Sequence, residues 1–312
     1  MTPFGRPVVS LSFHATQSVF SAPGEMASLY DDAPPDPARL ARIVRDVMIH
    51  RLEGELFGHV HPTDRLHGDA ESRYIDDILR IVVDRNPAPL TVRRDPGDRF
   101  VGICRDFALL HVSLLRHVGV PARIRSGFAD YFSPSGFHGD HVVTEYWDEA
   151  RGWLLADAQL ADPEITANWP VDFDFMDVPR DRFLVAGEAW RAIREGGADE
   201  KRFGLHAPEE GPFFGERFVA GNIRLDLAAL NKVETLLWDV WGADDGEPGT
   251  PLSDGVREIC DRVAPVVSGE VSMEAVRRVF AAEEGLRTPR TVTSYAPFLG
   301  KSLVELRQAI RR

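Results

Sequence analysis

The sequence of 312 residues predicts an α+β fold with a compact core between two longer flanks. Residues 105–118 are apolar on almost every side, which is typical of a helix buried inside a domain. Three strand-like runs follow this helix, at residues 122–131, 141–147 and 153–157. We therefore expect a core at residues 70–160, an N-terminal strand and helical segment at residues 1–69, and a mostly helical C-terminal extension at residues 161–312.

The N-terminal segment combines one predicted strand with helices. Apolar and polar residues alternate from Val9 to Phe13, which favours a strand. Asp36 can cap a helix and Pro37 suits its first position. Apolar residues then recur at helical spacing, at Leu40, Ile43, Val44, Val47 and Met48. A second helix is predicted from Ser72 to Val83 and ends before the proline-containing run 86–89.

Two glycines delimit the elements of the core. Gly119 follows the buried helix where a left-handed C-terminal cap is favoured. The five-residue loop 148–152 ends in Gly152, which indicates a hairpin between the last two strands. The resulting register pairs Trp147 with Trp153, Glu145 with Leu155, Val143 with Asp157 and His141 with Gln159. His141 and Asp157 then become diagonal neighbours across the hairpin.

The C-terminal extension is predicted to be helical over most of its length. Helices are expected at residues 181–195, 224–241, 253–263, 272–284 and 301–312. The polar loop Gly242–Gly249 is the expected boundary of a late subdomain. The acidic stretch 161–200 is interpreted as a solvated face.

Composition narrows the possible functions. The chain carries 36 Lys+Arg against 49 Asp+Glu, a formal net charge of -13, which disfavours binding to the phosphate backbone of a nucleic acid. The first 20 residues lack a signal-peptide pattern, and no apolar run reaches membrane-spanning length. The two cysteines do not form a disulfide framework. A cytoplasmic protein without a membrane or nucleic-acid partner is therefore expected.

Common cofactor and metal motifs are absent. The sequence contains no P-loop, no dinucleotide fingerprint, no nucleophile elbow and no H-E-x-x-H pattern. Two sets of side chains could still supply nitrogen and oxygen ligands to a metal. These sets are His59, His61, His67 and Asp69, and His138, Asp140 and His141. Ordinary loop histidines are the favoured interpretation of the first set.

Cys104 stands at the start of the buried helix, where the helix dipole favours a thiolate. A lone cysteine is more often a small buried hydrophobe, and Cys260, inside a later predicted helix, keeps that interpretation. A base and an orienting carboxylate strengthen the case for Cys104. The predicted register provides both, as His141 and Asp157, which together with the thiol follow the logic of a catalytic triad.

Four motifs in this order resemble the core of the transglutaminase-like superfamily. They are Cys104–Ala108, Leu114–Arg123, Gly127–Phe128, and Asp140–Trp147 followed by Gly152, Trp153 and Asp157. The resemblance implies a papain-like fold, in which a central helix packs on an antiparallel sheet. It also implies a nucleophile at Cys104, a base at His141 and an orienting carboxylate at Asp157. Segments 178–184 and 227–232 resemble a group of bacterial members.

The resemblance implies a cysteine-dependent acyl transfer through a thioester. The acyl donor would be a small molecule or peptide with an amide, carboxamide or thioester group, and an amine or water would accept the acyl group. No cofactor or metal is implied. Three alternatives remain: a thiol protease or amidase on the same triad, a metal-dependent hydrolase, and a binding protein with a silent site. Val143 departs from the family pattern, in which an aromatic residue often follows the histidine by two.

Neighbouring residues have simpler expected roles. A structural ion pair is expected for Arg123 and Glu145, and packing for Trp147 and Trp153. Solvated positions are expected for Arg99 and Arg105, and a helix-dipole contact for Asp106. The loop Tyr131–His138, rich in Gly, Pro and Phe, is the expected rim of an active site.

Overall fold

The computed structural model describes residues 7–133, 136–169, 171–207, 211–242, 250–269 and 272–308. The chain divides into two compact units, each assembled from separate segments. The first comprises Met1–Ile124, Val143–Asn168 and Phe173–Val178, and the second comprises Arg125–Val142, Trp169–Asp172 and Pro179–Arg312. The expected limits at residues 69 and 160 stay a prediction. The mixed α+β class is confirmed.

The first unit is built around one buried helix. Its helices are α1 (Pro7–His14), α2 (Pro37–Val47), α3 (Thr63–Gly68), α4 (Ile75–Arg85), α5 (Cys104–His117) and α6 (Pro163–Asn168). Its strands are β1 (Met48–His50), β2 (Phe100–Gly102) and β5 (Gly152–Ala156), and β3 (Ala122–Ala129) and β4 (His138–Asp148) each continue into the second unit. Every residue of α5 from Cys104 to Arg116 is buried, as its apolar pattern predicts.

The predicted starts and turns of the first unit are largely confirmed. The Asp36 carboxylate accepts the Arg39 N–H at the start of α2, and Pro37 is its first residue. Gly119, separated from the end of α5 by Val118 alone, has a left-handed φ of 84°. Strand β5 pairs with β4 in the predicted register, with Trp147 opposite Trp153 and Glu145 opposite Leu155. The expected strand at Val9–Phe13 is wrong, because this segment lies in α1.

The second unit adds six strands within its described residues: β6 (Phe183–Val185), β7 (Phe203–Ala207), β8 (Gly211–Phe214), β9 (Asp239–Val240), β10 (Thr291–Ala296) and β11 (Gly300–Glu305). The order β6-β3-β4-β7-β8 runs through a six-stranded sheet, in which β5 also pairs with β4. Its helices are α7 (Ala186–Arg194), α8 (Glu216–Leu230), α9 (Asp254–Val267) and α10 (Met273–Ala282). Arg125 and Asp226 form a fully buried ion pair of 2.9 Å in this unit.

The expectation of a mostly helical C-terminal extension needs correction. The predicted helix at residues 301–312 is wrong over its described part, because residues 300–305 form β11, paired in antiparallel with β10. The predicted helix at residues 224–241 instead spans Glu216–Leu230. It ends there since Lys232 takes a left-handed φ of 64°. Residues 243–249 of the expected boundary loop lie outside the described residues.

Every helix within the described ranges falls short of the length or the apolar character that a membrane-crossing helix requires.

Candidate active site

Cys104 is the first residue of α5 and follows strand β2 with one residue between them. Its side chain is buried, with 6% of the residue exposed. The Asp106 carboxylate accepts the Ile103 N–H at 2.9 Å and so caps the start of the helix. Asp106 also pairs with Arg105 at 3.0 Å. A buried polar network therefore holds the backbone that carries the thiol. Asp106 makes a hydrogen bond and an ion pair in this network, in addition to the helix-dipole contact expected from the sequence.

Asp157 directly follows β5 and is buried, with 2% of the residue exposed. Its backbone N–H donates to the Phe175 carbonyl at 2.8 Å, and its carboxylate accepts the Gln159 N–H at 3.0 Å. The described β4–β5 pairs end at Thr144 and Ala156. The predicted pairs Val143–Asp157 and His141–Gln159 are wrong, because the chain turns into a single 3-10 turn, Ala158–Leu160, after Asp157.

The turn after Asp157 packs against α5, the helix that begins with Cys104. The Asp157 carboxylate acts electrostatically on His111, which lies seven residues after Cys104 on α5. Seven residues are about two helical turns, so the two side chains project from a similar face of α5. Burial lowers the pKa of His111 to about 4, and the contact with the Pro37 carbonyl and the Asp157 charge oppose that shift. Sequence reasoning missed His111, since its burial depends on residues distant in the chain.

His141 lies in β4 within the second unit and is buried, with 4% of the residue exposed. Three aromatic rings meet the imidazole at steep angles: Phe132 at 5.0 Å, Tyr131 at 5.9 Å and Phe183 at 6.3 Å between ring centroids. Two of these rings belong to the loop Tyr131–His138 that was expected to form a rim. Residues 134 and 135 of that loop lie outside the described residues.

The predicted site residues are therefore distributed over both units. Cys104 and Asp157 belong to the first unit, where the turn after Asp157 meets the Cys104 helix. His141 belongs to the second unit and is surrounded by aromatic side chains of that unit. Cys260 is buried inside α9, as predicted for a structural cysteine.

The side chains first considered as metal ligands make other contacts. His138 stacks on Phe203 with centroids 4.8 Å apart, and Asp140 accepts a hydrogen bond from the Asn222 amide at 3.0 Å. Asp69 pairs with Arg85 at 2.6 Å. Within the described ranges, no group of three or more His, Cys, Asp or Glu is arranged to hold a metal ion.

The expectations for the nearby arginines are partly confirmed. Arg123 and Glu145 form the expected buried ion pair, 2.7 Å long, and Arg123 lies over the Trp153 ring at 4.0 Å. The solvated positions expected for Arg99 and Arg105 are wrong, because each residue is only 1% exposed. Long-range contacts bury both of them, and the local sequence carries no signal for such contacts.

Part of this chain is similar to a known protein family. Residues 82–158 match the model of the Transglutaminase-like superfamily, and this range contains Cys104, His141 and Asp157. One matching solved structure is "The Crystal Structure of a Putative Cysteine Protease from Cytophaga hutchinsonii", with 18% sequence identity and a TM-score of 0.33. That match covers 50% of this chain and 46% of the other, so the chain spans less than half of that protein. No curated protein matches the chain.

Proposed function

We propose that this chain, whose residues 82–158 match the model of the Transglutaminase-like superfamily, is a cysteine-dependent enzyme that transfers acyl groups. Cys104 is the nucleophile, His141 the general base and acid, and Asp157 the carboxylate that orients the imidazole. The acyl donor is a small molecule or peptide with an amide, carboxamide or thioester group. The acceptor is an amine, which gives a new amide bond, or water, which gives hydrolysis.

The position of Cys104 carries this proposal. It is the first residue of the buried helix α5 and lies inside the segment that matches the family. A thiol at a helix N-terminus benefits from the positive end of the helix dipole when it ionises. The buried carboxylate of Asp157, in a turn packed on α5, supports the role of an orienting group. The aromatic surroundings of His141 support a base that is shielded from water.

The proposed reaction has two halves. The Cys104 sulfur attacks the carbonyl carbon of the donor while its proton passes to His141. The C–N bond of the resulting tetrahedral intermediate breaks, or the C–S bond when the donor is a thioester, and the departing amine or thiol takes the proton from His141. An incoming amine or water then attacks the acyl-enzyme thioester and gives its proton to His141. The C–S bond to Cys104 breaks, and His141 returns the proton to the Cys104 sulfur. Asp157 stabilises the imidazolium in each half without accepting a proton itself.

Intact mass spectrometry tests this proposal with a panel of carboxamide, peptide amide and thioester donors. We expect the mass of one acyl group to be added to the wild-type protein and to Cys260→Ala, the matched control for loss of a buried thiol. Cys104→Ala should add none. Adduct formation by Cys104→Ala at the wild-type level would refute the assignment of the nucleophile. Product analysis with and without a primary amine then separates transfer from hydrolysis.

A further inference from the structure

Strand β11 lies at the edge of a small antiparallel sheet in the second unit. The sheet has the order β11-β10-β9, so β10 pairs on both sides, whereas β11 pairs with β10 alone among the residues that the structure describes. All of β11 pairs with β10 in one continuous register, and the strand contains no proline. The side of β11 away from β10, the open edge, thus presents backbone donors and acceptors that a further strand can bind.

The hydrogen bonds of this sheet show which backbone groups face the open edge. Leu306 continues the register of β11 and lies opposite Arg290, whose carbonyl accepts the Leu306 N–H at 2.8 Å. Along an antiparallel pair, residues that bond to the neighbouring strand alternate with residues that do not. The even-numbered residues of β11 therefore bond to β10, and the N–H and C=O groups of the odd-numbered residues point to the open edge. In agreement, the N–H of the odd-numbered Tyr295 in β10 donates to the Trp238 carbonyl, on the side of β9.

Three exposed side chains accompany these outward-facing backbone groups. Lys301, Leu303 and Glu305 alternate along β11 and so lie on one face of the sheet. Leu303 is 76% exposed and stands between the two charged residues. The Lys301 ammonium lies 5.1 Å from the centre of the Tyr295 ring, and Glu305 accepts a hydrogen bond from the Arg290 Nε at 2.8 Å. The Glu305 side chain is still 63% exposed and Lys301 is also exposed, so both charges can meet a second strand.

The order of these side chains makes the open edge complementary to a second copy of itself. An antiparallel strand bonds to this edge only when residues with outward-facing backbone groups lie opposite each other. One such register places Leu303 opposite the partner's Leu303, and it places Lys301 opposite the partner's Glu305 at both ends. Apolar pairs and opposite-charge pairs directly across a ladder favour pairing. A shift by two residues in either direction places Leu303 opposite a charged residue, so the side chains favour this one register.

We propose that two copies of this chain form a dimer by pairing their β11 strands in antiparallel. The two-fold axis passes between the two Leu303 residues, and because such a contact is closed, pairing stops at two copies. The junction involves only residues 301–305 of each copy, and interfaces that bury less than about 1,200 Å² are typical of weak association. The dimer therefore forms and dissociates with concentration. It does not depend on the proposed acyl transfer.

The first test measures the mass of the full-length wild-type protein in solution. Sedimentation equilibrium is recorded at protein concentrations from about 1 to about 300 µM, the range that suits a weak dimer. We expect the average mass to rise with concentration from the 34.8 kDa of one chain towards twice that value. A mass that stays at 34.8 kDa over the whole range would overturn the proposal.

Two charge reversals then test the surface and its register. Lys301→Glu places glutamates opposite each other at both ends of the junction, and Glu305→Lys places lysines there. Each variant alone should raise the dimer Kd at least about tenfold, because like charges directly opposite each other destabilise strand pairing. Mixed in equal amounts, the two variants should form a heterodimer, because every glutamate then faces a lysine. The proposal is overturned if either variant dimerises like the wild type, or if the mixture dimerises no better than the variants alone.

A third variant controls for the change in net charge. Lys201 is exposed and lies outside β11, in the turn Glu200–Arg202. Lys201→Glu should leave the dimer Kd unchanged, and a weakening equal to that of Lys301→Glu would contradict the location. Loss of the ion pair between Glu305 and Arg290 should matter little to folding, because both side chains are more than half exposed. Thermal unfolding of each variant at a low concentration checks this point.

Discussion

Removal of one partner of the ion pair between Arg123 and Glu145 is expected to destabilise the protein strongly, because the other charge then stays buried without its counter-charge. The Arg123 Nε and Glu145 Oε2 atoms are 2.7 Å apart, and both side chains are 1% exposed. Glu145→Leu leaves the guanidinium charged in a buried position. Breaking a buried pair in this way costs about 3–5 kcal/mol. Because whole proteins are stable by about 5–15 kcal/mol, this loss should be easily measured.

The double variant separates the cost of an unpaired charge from the value of the pair. Arg123→Met together with Glu145→Leu removes both charges and keeps apolar volume in the core. Its free energy of unfolding should lie closer to the wild-type value than that of Glu145→Leu. Urea denaturation followed by tryptophan fluorescence gives these free energies, since Trp147 and Trp153 lie in the same hairpin.

An exposed ion pair of similar length supplies the control. Arg151 and Asp177 are 2.6 Å apart, but their side chains are 52% and 44% exposed. Asp177→Asn should change stability little, because solvent and salt screen such pairs. The reasoning is refuted if Glu145→Leu destabilises the protein no more than Asp177→Asn. The reasoning is also refuted if the double variant loses as much stability as Arg123→Met and Glu145→Leu lose in sum when each is made alone.

Three further predictions concern buried ionisable groups. Burial lowers the pKa of His111 from 6.5 to about 4. Its contribution to the free energy of unfolding should be full above pH 6.5, and about 3 kcal/mol should be lost as the pH falls through 4. His111→Gln should flatten this dependence of stability on pH, as measured by urea denaturation. Asp106 has a pKa raised to about 6 from 3.8, again by burial. Its contribution to stability should be full below pH 3.8 and lost as the pH rises through 6, and Asp106→Asn should remove this dependence from the same measurement. Asp157→Asn should lower kcat roughly 10²–10⁴-fold once a substrate is known. An unchanged kcat together with a lowered Tm would assign Asp157 a purely structural role.

The elements that were predicted well are those in which local pattern and burial agree. Helix α5 is apolar all round, and its burial from Cys104 to Arg116 follows directly. The β4–β5 register follows from the length of the loop 148–152 and the position of Gly152, which has a left-handed φ of 85°. Such short-range signals need no knowledge of distant parts of the chain.

The failed predictions occur where tertiary pairing decides the structure. Five alternating residues at Val9–Phe13 were too few to distinguish a strand from a helix, and the segment is helical. Residues 301–312 consist largely of good helix formers, yet residues 300–305 pair with β10 as a strand. In both cases, local preference is weaker than the hydrogen bonds and contacts available in the fold.

The candidate site shows the same division. The sequence alone identifies Cys104 at a helix start, and the predicted hairpin register, followed by the family motifs, adds His141 and Asp157. The predicted cross-strand route to Asp157 fails because β5 ends one residue earlier, at Ala156. The rings around His141 and the burial of Arg99 depend on contacts between distant segments, so periodicity carries no information about them.

The reactivity of the two cysteines tests the central claim most directly, because it requires no knowledge of the substrate. Both cysteines are buried and neither forms a disulfide with another described residue, so Cys260 provides an internal comparison within the same molecule. The native protein is treated with limiting iodoacetamide and its peptides are mapped by mass spectrometry. If Cys104 is an activated nucleophile, it should be alkylated first, and His141→Ala should slow its alkylation. Equal or preferential alkylation of Cys260 would contradict the account.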